Sequence, residues 1–592
     1  MIDQSRCTGN AEDLSRRAFI RLAVGTTAVT TGGLLLAACG GSAAPSSRAV
    51  ASPASARTSI PASAAGGGSG STAAALPSFI ELKPLVAPDY PSSDQHLTLA
   101  YNHYPKNPPK SWNKPAPGTG SDVTAFVHNY YQTPTPFSSN PTWHAVNKAL
   151  NSNFQMTMVS GADYLLKFGT LMAGNDLPDI MHIAHDIGSP PGQAEFFKAK
   201  CADLTPYLSG DNIKAYPNLA NIPTYAWANS NSAIDGHLYQ WPISRYLPGI
   251  NYFFKNTDMW DAKVGKTAVP KSAGDLKKMM QQLNDPKGGV WAMGNRSSRP
   301  TNFGIRAYVA MFGGPNLWGL DSNGKIVKDY ETEQYKTALG YVRDLWAAGL
   351  FWPDSASTKD SRSNFVAKKF ALSVEGFGNS WNDFWLRGLT QTPPTHFDII
   401  LPFGADANTK PQSFLTGGFN ATDVMKKASP DRIRELLRII DYLAKPFGTQ
   451  EDLLITYGLT PADYTIDSNG DPTLTSSGKN RSQYVPWQYL SDRRYVTYYA
   501  GIPNYAAHVH PIEQALVDPK IAVSDASQGL YSPTSYVPAT FQAEQTLLDG
   551  VNDVITGRRP LSDFGGLVTD WQKAVGNQLK SEYNDALAKQ KG

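Results

Sequence analysis

Between residues 122 and 186 the chain reads as three strands separated by two helices, and this alternation narrows its possible folds more than any other feature. "DVTAFVHNYY" (122–131) is dense in β-forming residues. "PTWHAVNKALNSN" (141–153) sets Trp143, Val146 and Leu150 on one helical face, with Pro141 suited to a first turn. "FQMTMVSG" (154–161) alternates as a strand. "DYLLKFGTLMAGN" (163–175) reads as a helix closed by Gly174 in a left-handed cap, and "PDIMHIAHD" (178–186) as the next buried strand. A βαβαβ run of this kind starts a parallel doubly wound sheet, whose ligands sit beyond the carboxyl ends of its strands. The chain has 592 residues, 41% of them hydrophobic and 17% charged, enough for at least two domains. A net charge of +3 is nearly balanced, so neither nucleic acid nor a polybasic membrane patch is indicated.

Within and beyond that run stand several motifs in a fixed order. "LMAGNDLPDIMHIAHD" (171–186) resembles the "sGdlPDi" signature of extracellular solute-binding proteins, family 1, the receptors that feed sugars and oligosaccharides to ABC importers. "DGHLYQWPISRYLPGINYFFKNTDMWDAKV" (235–264) is similar to the segment in which that family's chain first crosses between lobes. "YETEQYKTALGYVRDLWAAGLFWPDSA" (330–356), "ALSVEGFGNSW" (371–381), "YGLTPADYTIDSNGDP" (457–472) and the stretch 547–587 resemble later family segments, the last two those of its large oligosaccharide-binding branch. The resemblance covers roughly 120–592. It implies an α/β fold of two lobes, periplasmic-binding-protein-like and of type II, with each lobe discontinuous. Lobe one would comprise 78–243 and 416–500, and lobe two 244–415 and 501–592. Function would be closure of the hinge on a ligand, then docking of the closed form on permease subunits. The protein is expected to act as a monomer and to need no cofactor or metal.

The residues support these segments independently. In 330–356 the apolar set Tyr335, Leu339, Val342 and Leu345 recurs at helical spacing and Gly349 closes the helix. "LDSNGKIV" and "IDSNGDPT" carry Asn-Gly and predict hairpins; neither shows the alternating acidic pattern of a calcium loop.

The 13 Trp and 28 Tyr bear on the ligand class. Sugars present apolar C–H faces ringed by hydroxyls, so a sugar cleft needs flat aromatic platforms and a few polar groups. The candidates lie where the family's strands end: Tyr130, Tyr131, Trp241, Tyr246 and Trp381 as platforms, and Asn129, Asp186, Arg245, Arg299 and Asn302 as polar contacts. Asp186 in "AHD" matches a sugar-contacting aspartate of maltose-type relatives, which carry Trp and Arg where this chain has Ile183 and Ile187. Trp381 follows "SVEGFGNS", where Gly376 and Gly378 allow a tight loop, and at the matching position of those relatives a tryptophan lies against a sugar face.

Enzyme signatures are missing: there is no G-x-S-x-G, H-E-x-x-H or P-loop. His508-Val509-His510, read as a strand, offers two side chains on one side, too little for a metal. The enzyme alternative is an extracellular lipoprotein glycoside hydrolase or polysaccharide lyase, because carboxylate pairs have no fixed spacing.

The amino terminus reads as an export and anchoring device. "SRRAFIR" (15–21) contains Arg16 and Arg17 and resembles a twin-arginine signal, and Leu22 to Ala38 is uncharged but short and rich in Gly and Thr. "LAACG" (36–40) resembles the lipobox of bacterial lipoproteins, in which Cys39 takes the lipid and becomes residue one. The expectation is a signal peptide over 1–38 and a lipid anchor holding the protein at the outer face of the bacterial cytoplasmic membrane. Residues 39–77, Ala/Ser/Gly/Pro-rich, would form a flexible tether. Of the three cysteines Cys7 leaves with the signal and Cys39 is lipidated, so Cys201 has no disulfide partner and reads as a buried small residue.

Overall fold

In the computed structural model the described residues are 76–592, apart from 93, 186, 189, 191, 250, 296–302, 358–360 and 592. The expected twin-arginine pair Arg16 and Arg17, the lipidated Cys39 and the tether up to residue 75 lie outside them.

The expected alternation is present. Strands β1 (Asp122–His128), β2 (Asn153–Val159) and β3 (Ile180–Ile183) are separated by helices α1 (Pro141–Leu150) and α2 (Gly161–Ala173). α1 starts where Asn140 accepts the Trp143 N–H and Pro141 fills the first turn; its Trp143, Val146 and Leu150 are buried. α2 is capped by Ser160. Its other end differs from the sequence reading: Gly174 has φ −85° and ψ 174°, extended rather than left-handed. The chain leaves straight for β3, and the Gly174 N–H closes the last turn on the Thr170 and Leu171 carbonyls. The order continues with β4 (Gln240–Ser244), β5 (Tyr252–Asn256), β6 (Trp291–Met293), helix α3 (Glu333–Ala347), β7 (Phe370–Glu375), helix α4 (Asn379–Leu389), β8 (Phe397–Ile400) and β9 (Phe419–Met425).

These strands form two mixed sheets, β2-β1-β3-β9-β4 and β8-β5-β7-β6. Residues on β1 alternate between faces: Val123, Ala125 and Val127 enter the core that holds α1, and Phe126 enters the core that holds Tyr164 and Phe168 of α2. Helices therefore cover both faces of the first sheet, the doubly wound arrangement expected. The second sheet has its own cores. One takes in α3 through Tyr335, Leu339, Val342 and Leu345 together with the C-terminal helices, and the other takes in α4 and helix α5 (Tyr505–Leu516). Gly349, with φ +67°, follows α3 in the left-handed region expected of it.

The chain passes between the sheets three times. After β4, the Leu247 carbonyl accepts from Thr416 N–H and Pro248 bridges Leu415, so the first and second crossings run antiparallel. Ser413–Phe414 on the second crossing pairs with Ala522–Val523. The third crossing includes Val496–Thr497, paired with Leu99–Ala100. The hinge-side packing is close: a Cβ on Gly249 would lie 2.2 Å from the Phe414 carbonyl oxygen.

Other expectations are placed as follows. Both Asn-Gly segments form hairpins, Trp318–Leu320 with Ile326–Lys328 and Tyr464–Ile466 with Pro472–Leu474. Asp321 and Asp467 spend carboxylate oxygens on backbone N–H groups of their own turns. His508 and His510 are not on a strand as read from the sequence. They lie on α5, where neighbours two apart face different ways: His508 meets Asp398 at 3.2 Å and His510 packs on Tyr90. Cys201 is buried, and burial pushes its thiol pKa up. Leu76 and Pro77, placed in the tether by sequence, are docked: Gly210 N–H donates to the Leu76 carbonyl and Ser78 N–H to the Gly210 carbonyl. No helix among the described residues is long and apolar enough to cross a membrane.

Candidate functional site

The strand order β2-β1-β3 reverses the direction of winding at β1, so a crevice opens beyond the carboxyl ends of β1 and β3. β4 runs parallel to them, because β3 and β4 are both antiparallel to β9 and β1 is parallel to β3. Residues just after β1 and β4 therefore emerge at the same edge, which brings together 129–131 and 245–246.

Asn129 shapes its own loop: its side-chain oxygen accepts from Tyr131 N–H and its amide donates to the Gln132 carbonyl. That turn presents two tyrosines. Tyr130 packs 4.6 Å from the ring of Tyr489, and Tyr131, 39% exposed, lies 5.7 Å from Tyr484 with planes 27° apart. The Tyr131 hydroxyl accepts from the Gln488 amide at 3.2 Å. From β4, the Arg245 guanidinium lies 5.8 Å from the centre of the Tyr489 ring and 3.8 Å from Asp492. Tyr246 meets Tyr495 at 5.0 Å and Phe377, just after β7, at 5.7 Å. Gly378 makes that approach possible. Its φ is +75°, and a Cβ there would come within 2.5 Å of the Tyr246 ring.

The result is an aromatic surface built from both sheets and from the third crossing. Tyr489 itself is buried and backs Tyr130 and Arg245, while Tyr131, Tyr484, Tyr246 and Tyr495 keep part of their rings open. Rings of this kind offer flat apolar faces with hydroxyl rims, suited to a ligand that is apolar on its faces and polar at its edge.

The charges around it are matched. Asp492 meets Lys445 at 3.3 Å, and Arg493 meets Asp452 at 2.6 Å. Burial alone would raise the pKa of Asp492, but Lys445, Arg493 and Arg245 hold it below the usual carboxylate range. It is thus an ionised partner of cations and not a proton donor. Beneath the aromatic layer His182 and Asp423 form a fully buried pair, Nδ1 to Oδ1 3.3 Å. Burial drives both toward their neutral forms: the Asp423 pKa is pushed well up, and that of His182 down to about 3 by burial first and then by His128. The His182 ring supports Tyr130 and Tyr489 edge-on.

Two expected platforms are not in this surface. Trp241 is fully buried on β4, its indole N–H donating to the Leu490 carbonyl, because position 241 faces the core that holds α1 even though β4 is an edge strand. Trp381 is also fully buried, in the first turn of α4 against Phe254 and Phe377, with Phe384 three residues on completing the same apolar face. Asp186, Arg299 and Asn302 lie outside the described residues. The sequence reading missed Tyr484, Tyr489, Tyr495 and Tyr499, all in "YVPWQYLSDRRYVTYYA" (484–500). Aromatic density without strand or helix periodicity was the available signal.

A family model described as bacterial extracellular solute-binding protein matches residues 139–481. Lipoprotein LipO of Bacillus subtilis (strain 168) is 24% identical over 473 residues, which is 76% of this chain and 89% of LipO. The polygalacturonan/rhamnogalacturonan-binding protein YtcQ of the same organism is 25% identical over 467 residues, 75% of this chain and 88% of its own. In fold, the chain resembles an extracellular solute-binding protein from Bifidobacterium longum subsp. infantis with a TM-score of 0.57 at 12% identity, covering 79% of this chain and 97% of that one.

Proposed function

The chain belongs to the bacterial extracellular solute-binding protein family, and from that premise we propose that it captures a carbohydrate, an oligosaccharide, between its two lobes and hands it to the permease of an ABC importer. The observation that carries this reading is the tyrosine-lined surface of Tyr130, Tyr131, Tyr484 and Tyr246 at the reversal of strand order, backed by the buried Tyr489, with Arg245 3.8 Å from Asp492 beside it. Tyr130, Tyr131, Arg245 and Tyr246 are the ligand contacts, with Asn129 shaping their loop. By resemblance, Asp186, Arg299 and Asn302 join them. The lobes are 78–243 with 416–500 and 244–415 with 501–592. Closing them over the ligand buries both faces of each sugar ring and creates the form that the permease recognises. A relative named for polygalacturonan and rhamnogalacturonan binding supports the ligand class.

The protein acts as an exported monomer, directed by the Arg16-Arg17 signal and held to the outer face of the cytoplasmic membrane by lipid on Cys39. The hydrolase or lyase reading needs a carboxyl group kept protonated near the ligand. The carboxyl driven to its neutral form here, Asp423, is fully buried beneath the tyrosines and paired with His182, and Asp492 beside the surface is held ionised by its cations, which favours binding without chemistry.

A thermal-shift screen of the soluble mature chain against mono- and oligosaccharides tests the proposal, since a ligand that binds only the folded state raises the melting temperature by mass action. At least one oligosaccharide should raise it, and chromatography after long incubation should return that sugar intact. Shortened chains or new unsaturated ends would establish the enzyme alternative.

A further inference from the structure

A second concavity, lined by none of the tyrosine-surface residues, lies where the segment 531–537 meets residues that flank the first sheet. It encloses about 120 Å³, and its lining includes His185, Gln193, Asn231, Gln240, Tyr531 and Tyr536. We propose that this pocket is a subsite for one uncharged sugar ring at an end of the bound oligosaccharide; this rests on the carbohydrate reading above.

The polar wall of the pocket is held in place before any ligand arrives. The Thr422 hydroxyl, fully buried on β9, donates to the Gln240 side-chain oxygen at 2.6 Å and lies 2.9 Å from His185 Nε2. Gln240 in turn donates to the Asn231 carbonyl at 2.8 Å. Asn231 donates to the Tyr536 hydroxyl at 3.4 Å, which links the wall to the covering segment. Tyr531 and Tyr536 stack 6.0 Å apart with planes 25° from parallel, an apolar plate opposite the amides. Gln193 supplies the demand for a ligand. It is more than nine-tenths buried, and its side-chain NH₂ has no hydrogen-bond partner among the described residues. A buried donor without an acceptor is unfavourable, and a sugar hydroxyl would satisfy it.

The lining also selects against charge. Besides the imidazole, amides and phenols, the described lining residues include one carboxylate, Glu195. Lys198, on the same helix as Glu195, is 3.0 Å from Asp235 and 3.9 Å from Glu195, so its charge is already met. An acidic sugar would find a carboxylate and no cation among the described lining residues, whereas a neutral ring needs only amide and hydroxyl partners. The covering segment leads directly into the helix Pro538–Ile555, which packs in the core of the second lobe. A ring held here would touch both lobes and add to the closed form.

Calorimetric titration of the full mature chain distinguishes the possibilities. The probes are neutral malto-, cello-, manno- and fructo-oligosaccharides of two to six units and oligogalacturonides of the same lengths. The variants are Gln193→Ala, Asn231→Ala and the conservative Tyr536→Phe, each checked for native melting. We expect one neutral series to bind, with affinity rising roughly tenfold at the length that reaches the pocket, and that step to be lost in the variants while shorter members bind as in the parent. Retention of the step in natively melting variants overturns the subsite but leaves the carbohydrate reading standing. A preference for oligogalacturonides that shows the same step overturns the neutral-ring assignment. Binding by no member of any series removes the carbohydrate reading and the subsite with it. Should Asn231→Ala melt early, Tyr536→Phe, which removes only the hydroxyl that Asn231 reaches, decides the matter.

Discussion

Trp381 and Tyr131 both carry rings that a sugar face could stack upon, and burial separates their roles. Trp381 is fully covered by Phe254, Phe377 and its other core neighbours, and its indole N–H lacks a partner among the described residues. Truncating it removes packing and leaves a cavity. Trp381→Ala should therefore lose about 3–5 kcal/mol of folding stability in a denaturant titration, with ligand affinity of the folded fraction unchanged. Tyr131 is 39% exposed and packs on little of the core. Tyr131→Ala should keep its melting temperature and weaken sugar binding by about 1–3 kcal/mol, roughly ten- to a hundredfold. The reverse pattern in either variant would exchange their assignments. The residue scale also shows why the sequence pointed to Trp381. Gly378 does make the tight, positive-φ turn expected of it, but α4 begins at once, and Trp381 and Phe384 then share the buried face of that helix.

At the scale of elements, the third crossing depends on a single carboxyl group. Glu513 on α5 is fully buried, and its oxygens accept from the Thr98 and Thr497 hydroxyls at 2.5 and 3.0 Å. This ties the helix to the paired strands Leu99–Ala100 and Val496–Thr497. Burial pushes the Glu513 pKa up to about 7, and the threonine hydrogen bonds and Arg494 pull the other way. The sign follows from linkage. With the folded pKa above the unfolded one, the folded state holds the extra proton, so this group's contribution is complete at pH 4 and fades as pH rises through 7. The slope from this one site is at most about 1.4 kcal/mol per pH unit. Glu513→Gln should flatten the fall in stability between pH 5 and pH 8 seen by chemical denaturation of the parent. An unchanged slope in the variant would place the titration elsewhere.

At the scale of the whole molecule, the expected lipobox lies upstream of a body that holds Leu76 through a hydrogen bond from Gly210. A diacylglyceryl group with a second acyl chain holds a protein to a membrane, whereas one chain binds only marginally. Cys39→Ser should leave the protein unprocessed or release it from the membrane fraction, as immunoblotting of fractionated cells would show. Normal processing and membrane retention of this variant would remove the lipoprotein assignment.

What the sequence determined by itself is the set of properties carried by short segments. The period of Trp143, Val146 and Leu150, the β-formers of 122–128, the Asn-Gly hairpins and Gly349 each specify local conformation through forces acting within a few residues, and each appears where it was read. The turn of Asn129, Tyr130 and Tyr131 was legible for the same reason: it directly follows the strand Asp122–His128. Which aromatic rings are walls and which are core was not legible. Trp241 and Tyr246 are five residues apart on one segment, yet one donates to Leu490 within the core and the other meets Tyr495 at the cleft. Tyr489 lies under Arg245 and against Tyr130 only because the stretch 484–500 carries it there from far along the chain. Burial depends on contacts between residues hundreds of positions apart, and only the packed chain decides those.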